Sequence, residues 1–123
     1  MDQRAEDLKV RTKQFVILIL DFTAAFLRSL AGEALGRQLV RAGLGVAGNY
    51  RSACRARSHT EFTARLGIVV EEVDEAELWL DVIDERGLGA TTARKHLLDE
   101  SRQLRAIFTK ALGTARRNQH LNS

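Results

Sequence analysis

Apolar residues recur at Phe62, Leu66, Val69, Val73, Ala76, Leu80 and Ile83, at alternating intervals of four and three. That spacing is a heptad seam, and it predicts a helix over 59–85 that faces other helices. Ser58 stands just before it, placed to accept from the Glu61 amide, while Glu61 can reach back. Burying the seam is worth roughly 10 kcal/mol gross, before conformational entropy is set against it. Outside the seam the stretch is acidic from Glu71 and Glu72 through to Asp84 and Glu85, and only Arg86, at its end, offsets that run.

Three further helical patterns flank this one. Over 9–30, Phe15, Ile19, Phe22 and Phe26 form an apolar stripe that Val16, Ile17, Leu20 and Leu27 widen almost all the way round. A helix so apolar is buried on more than one side, and a subunit interface is its natural second cover. Ala31-Gly32 breaks the pattern. The next helix spans 33–55, with Leu35, Leu39, Val46 and Tyr50 on its apolar side. Gly43, Gly45 and Gly48 lie inside it. Each glycine costs about 1 kcal/mol against alanine in a helix interior, so close approach of a neighbouring helix is expected there. Gly87 and Gly89 end the seam helix. A fourth helix, capped by Thr91 or Thr92, spans 92–113 and buries Leu97, Leu104 and Phe108. Residues 1–8 and 114–123 read as tails.

The expected fold is therefore all-α: an up-down-up-down antiparallel four-helix bundle in a single domain over 1–123. Its 123 residues suffice for a real core, and the absence of proline suits it. On the seam helix, Ile68, Leu78, Trp79 and Val82 lie off the seam. With Phe15, Phe22 and Phe26 they are the candidate oligomer interface, anchored by Trp79.

Charge sharpens this picture. Residues 31–67 carry net +4, residues 68–90 net −7 and residues 91–123 net +5, within a total of +3. At about 100° per residue, Arg37, Arg41, Arg51 and Arg55 fall within roughly 40° of one line opposite the apolar side. Arg57 continues the basic character past the turn. Three readings stay open: a solvated face, a phosphate-binding stripe suited to guanidinium geometry, or pairing with the acidic helix within or between subunits.

No catalytic constellation emerges. Cys54 is alone, and His59, His96 and His120 lack metal-ligand spacing. The seam offers no carboxylate for a di-metal centre. The run Gly43-Leu44-Gly45-Val46-Ala47-Gly48 has the letters of a dinucleotide fingerprint but no preceding strand. No enzyme, metal or cofactor is expected. The apolar run Phe15–Leu20 is too short to span a bilayer, so a cytoplasmic protein with no membrane partner is expected.

The stretch Gly36-Arg37-Gln38-Leu39-Val40-Arg41-Ala42-Gly43, then Val46-Ala47-Gly48-Asn49-Tyr50-Arg51-Ser52-Ala53-Cys54-Arg55-Ala56-Arg57-Ser58, resembles the bacterial four helix bundle protein family. So do Glu61-Phe62, Leu66-Gly67-Ile68-Val69-Val70-Glu71-Glu72-Val73-Asp74-Glu75 and Trp79-Leu80. That family includes proteins encoded in intervening sequences of the large-subunit ribosomal RNA gene. It is related to accessory proteins of diversity-generating retroelements. The resemblance implies a homopentamer with a central channel, binding to RNA or DNA, and in the retroelement relatives partnership with a reverse transcriptase. Asn49, Arg51, Arg55, Arg57, Ser58, Glu61 and Phe62 stand at its signature positions. Where many members have Ala-Glu-Gly, this chain has Arg51-Ser52-Ala53, so roles argued from that glutamate do not transfer.

Overall fold

Four helices account for most of the chain: α1 Gln3–Thr23, α2 Leu30–Cys54, α3 His59–Arg86 and α4 Thr91–Asn122. They are seen in a computed structural model that describes residues 2–26 and 28–122, with residues 120–122 described as backbone only. Leu27 and the His120 side chain lie outside the described residues. Each helix packs against the next in the chain, and α1 meets α4 over a shorter length to close the ring. Short connections between successive helices make neighbours antiparallel, as an up-down bundle requires.

Local chemistry fixes the ends. The Asp2 carboxylate accepts from the Arg4 amide at 3.1 Å, and Ser29 Oγ accepts from the Gly32 amide at 3.0 Å. Ser58 Oγ accepts from the Glu61 amide at 3.0 Å. Glu61 does reach back, though to the Arg57 amide at 3.0 Å, one residue before the cap itself. At the far end of α3, Gly87 adopts φ 66°. Its amide donates to Asp84 O while the Leu88 amide donates to Ile83 O, a Schellman closure that wants glycine at the left-handed position.

Four helix boundaries depart from the expectation. Helix α1 begins at Gln3, so most of the expected 1–8 tail is helical behind its Asp2 cap. Helix α2 begins at Leu30 instead of residue 33, and the ends of α1 and α4 also move. The first helix stops at Thr23, short of residue 30, although apolar residues continue beyond it. Phe26 is buried from the connecting loop, and its ring meets Phe22 edge-on at 4.9 Å. Gly32, expected to break a helix, lies in the first turn of α2. A β-carbon there would stand 2.8 Å from Phe26 O, so the folded-back loop needs its absence. The fourth helix continues well past Gly113, and the expected 114–123 tail is helical through Asn122. Ala115 is buried, and the His59 Nε2–H donates to Ala115 O at 2.8 Å, tying this extension to the start of α3.

The core is the expected seam with one exchange. Leu66, Val69, Val73, Ala76, Leu80 and Ile83 are buried, but Thr63 takes the first buried place and Phe62 is only half-buried. Thr63 is tolerated there because its hydroxyl donates to His59 O at 2.9 Å. Phe15, Ile19 and Phe22 face the seam from α1, Leu39 and Val46 from α2, and Leu97, Leu104 and Phe108 from α4. The assignment of Phe15, Phe22 and Phe26 to a subunit interface is thereby corrected: all three are spent on the core of their own chain. The apolar surface that α1 leaves outside belongs to Val10, Ile17 and Leu20.

Of Gly43, Gly45 and Gly48 in the middle of α2, two mark close approach. A β-carbon at Gly43 would stand 2.7 Å from Ile19 Cδ1, and one at Gly45 would stand 2.7 Å from Glu72 Cδ. Gly48 faces open space.

Candidate nucleic-acid interface

Helix periodicity puts the α2 arginines on its outer side, and the structure divides them. Arg37 donates to Glu33 Oε1 at 2.7 Å, one turn back, while most of its side chain stays in solvent. Such a pair holds little energy and leaves the charge available. Arg41 crosses to α3, where it pairs with Glu75 and lies 3.7 Å from Glu72. Glu75 also accepts from the Trp79 indole N–H at 3.3 Å. Pairing with the acidic helix thus occurs within the subunit at Arg41.

Arg51, Arg55 and Arg57 are exposed, and none has a carboxylate at ion-pair distance among the described residues. Sequence reasoning had not placed α1 beside them. A groove of about 530 Å³ runs between α1 and α2, and Lys9, Lys13 and Arg51 line it with Val10, Leu44 and Gly48. Lys9 pairs with Glu6 at 3.2 Å. Lys13 comes onto this face only because α1 packs antiparallel to α2, which no local pattern announces. The cationic surface therefore covers the half of α2 nearest the α2–α3 turn, and α1 shares it.

Two further acids of α3 are matched by α4. Glu77 pairs with Arg105 and Arg102, and Asp84 accepts from Arg94 Nε at 2.9 Å and Lys95 Nζ at 2.9 Å. Arg94 is buried and also donates to Leu88 O and Gly89 O, so one guanidinium clasps the α3–α4 turn. The Lys95 and Arg94 hydrogen bonds hold the Asp84 carboxyl below its ordinary range. Glu72 goes the other way. Burial raises its pKa more than Arg41 lowers it, and its Oε2, against Gly45, has no hydrogen-bond partner. On α1, Arg11 makes a two-bond contact with Glu100 of α4 at 2.7 and 2.8 Å. Cations without an ion pair among the described residues stand on α3 and α4 as well, Lys110 among them, but those of α2 and α1 gather around one groove.

The off-seam residues of α3 are split as well. Ile68 and Leu78 are exposed, whereas Trp79 and Val82 are half-buried, with the Trp79 ring packed against the core. Trp79 is therefore only partly available to a partner. Among the described residues no cluster of His, Cys, Asp and Glu could hold a metal ion, and no helix is long and apolar enough to cross a membrane.

No protein-family model matches the chain, and no curated protein does. Solved structures do match it. One is a protein of unknown function from the S23 ribosomal protein family of Bacteroides thetaiotaomicron. It superposes with a TM-score of 0.81 at 18% sequence identity, over 90% of this chain and 99% of that one. What the likeness establishes is the architecture: this chain has the fold of a solved S23 ribosomal protein family member, a four-helix bundle.

Proposed function

We propose that the protein is a non-enzymatic, homo-oligomeric helical bundle whose basic α1–α2 face binds the phosphate backbone of RNA or DNA. One observation carries the reading. The acids of α3 draw Arg41, Arg94, Arg102 and Arg105 into ion pairs, while Arg51, Arg55 and Arg57 stay exposed without one, beside Lys13. Guanidinium groups one helical turn apart suit a run of phosphates. The family resemblance adds the expectation of a pentamer, and the cytoplasmic setting expected from the sequence pattern goes with it.

A second reading has its own support. Val10 is 69% exposed and Leu44 53%, and both line the groove that carries the cations. Apolar residues set among charges suit a protein contact, with another copy of the chain or with a partner such as a reverse transcriptase. Assembled mass by light scattering and retention of generic RNA at two salt concentrations separate the readings. Phosphate binding weakens steeply with salt. Arg51→Ala with Arg55→Ala should abolish RNA retention and keep the mass. Loss of mass instead would make these arginines interface residues.

A further inference from the structure

Where the α2–α3 turn meets the first turns of α1 and the last turns of α4, the helices stop filling the space between them. A cavity of about 480 Å³ opens there. Small side chains keep it open: Ala5, Ala53, Ala111 and Ala115 stand where larger residues would close it. Phe62, displaced from the seam by Thr63, turns into its wall. Tyr50 forms the floor, backed by the fully buried Phe108 with ring centroids 5.1 Å apart. Size and lining match small-molecule sites, which are apolar with a few placed polar groups.

Those polar groups are distinct. Tyr50 is buried, with Cys54 one helical turn further along the same wall. Burial first, and then the neighbouring Cys54, push the phenol well above the ordinary tyrosine value, so it stays a neutral donor. His59 lines the cavity with its Nε2–H already given to Ala115 O. Arg4 and Lys110 line it too, and neither side chain has a carboxylate at ion-pair distance among the described residues. Asp2 is the acid nearby, and its carboxylate is engaged by the Arg4 amide.

We propose that this cavity binds a small aromatic anion, one or two fused rings lying among Tyr50, Phe62 and Phe108 with a single carboxylate at Arg4 and Lys110. Aromatic walls favour a flat ring over a flexible chain, because ring pairs add to the area they bury. The site is separate from the basic groove, with which it shares no lining residue.

The test titrates 2-naphthoate into the full-length protein by calorimetry and locates it by proton–proton contacts in NMR. Saturable binding at one site per chain is expected, with contacts to the Tyr50 and Phe108 rings. Ala111→Trp, which fills the cavity from α4, should abolish binding. Arg4→Ala with Lys110→Ala should weaken naphthoate by about tenfold, the scale of a lost charge contact, and leave neutral 2-naphthalenemethanol unaffected. Absence of saturation, equal binding by Ala111→Trp, or contacts at Val10 and Leu44 would each overturn the proposal. Should Ala111→Trp fail to fold, the contacts in the unaltered protein decide.

Discussion

Gly45 of α2 lies directly against the Glu72 side chain of α3: a β-carbon at position 45 would stand 2.7 Å from the carboxyl carbon of Glu72. Two residues earlier, a β-carbon at Gly43 would stand 2.7 Å from Ile19 Cδ1. The distances are alike and the consequences opposite. The Glu72 carboxylate is the end of a flexible side chain whose Oε2 has no hydrogen-bond partner and only a 3.7 Å contact with Arg41, and displacing it returns it to water. Ile19 is fully buried and has nowhere to go. Gly45→Ala should therefore stabilise the protein by up to about 1 kcal/mol, the helix-propensity gain. Gly43→Ala should destabilise it by about 1–3 kcal/mol through overpacking. Urea unfolding of the two variants beside the parent checks both signs.

The acid–base behaviour of Glu72 follows from the same contact. Its folded pKa is raised, chiefly by burial, so the folded state holds this proton more tightly than the unfolded chain does. The favourable contribution is present at low pH and fades as pH climbs from the unfolded value through the raised folded value. Glu72→Gln should raise the melting temperature at pH 7 and make little difference near pH 4. Melting curves at the two pH values measure it, and equal shifts at both would count against the burial argument.

Asp84 carries the opposite sign. Lys95 and Arg94 hold its folded pKa below the ordinary value, so its stabilisation is present above the unfolded pKa and is lost as pH falls through the folded one. Asp84→Asn should lower stability at pH 7 and flatten the acid side of the stability profile. Arg94→Ala should cost more, about 2–4 kcal/mol, because it orphans the Leu88 and Gly89 carbonyls as well. Denaturation midpoints from pH 3 to pH 7 distinguish the two effects.

How far the sequence foretold this molecule depended on whether a feature was local. The α3 seam was legible because a heptad is a property of one helix, and the Ser58 cap because its partner is three residues away. Phe62 and Thr63 exchanged places because the cavity beside Phe62 is made by all four helices, and Thr63 could satisfy its own hydroxyl. The end of α1 was misread because Phe26 is apolar for the sake of the core without being helical. The α4 extension was missed because its hold is a long-range one, His59 on Ala115. Likewise the arginine line of α2 followed from periodicity, whereas the capture of Arg41 by Glu75 and the arrival of Lys13 depend on how helices align.

Gly48 offers a prediction that reports on the outer face of α2. It is a helix-interior glycine with nothing within 4 Å of where a β-carbon would be, so the subunit gives no packing reason for it. It lines the basic groove beside Leu44 and Arg51. In an isolated subunit, Gly48→Ala should add about 0.4–1 kcal/mol of stability, since alanine loses less backbone freedom on folding. If another molecule approaches the backbone at this point, the new methyl group stands in its way, and the gain in the subunit comes with a loss in the complex. Assembled mass and RNA retention of Gly48→Ala, measured beside its melting temperature, separate the cases. Higher melting with unchanged mass and weaker RNA retention puts the nucleic acid in the groove, whereas higher melting with reduced mass puts a second copy there. Should all three stay at or above the parent values, neither partner touches the helix at Gly48, and the contact surface lies nearer Arg55 and Arg57.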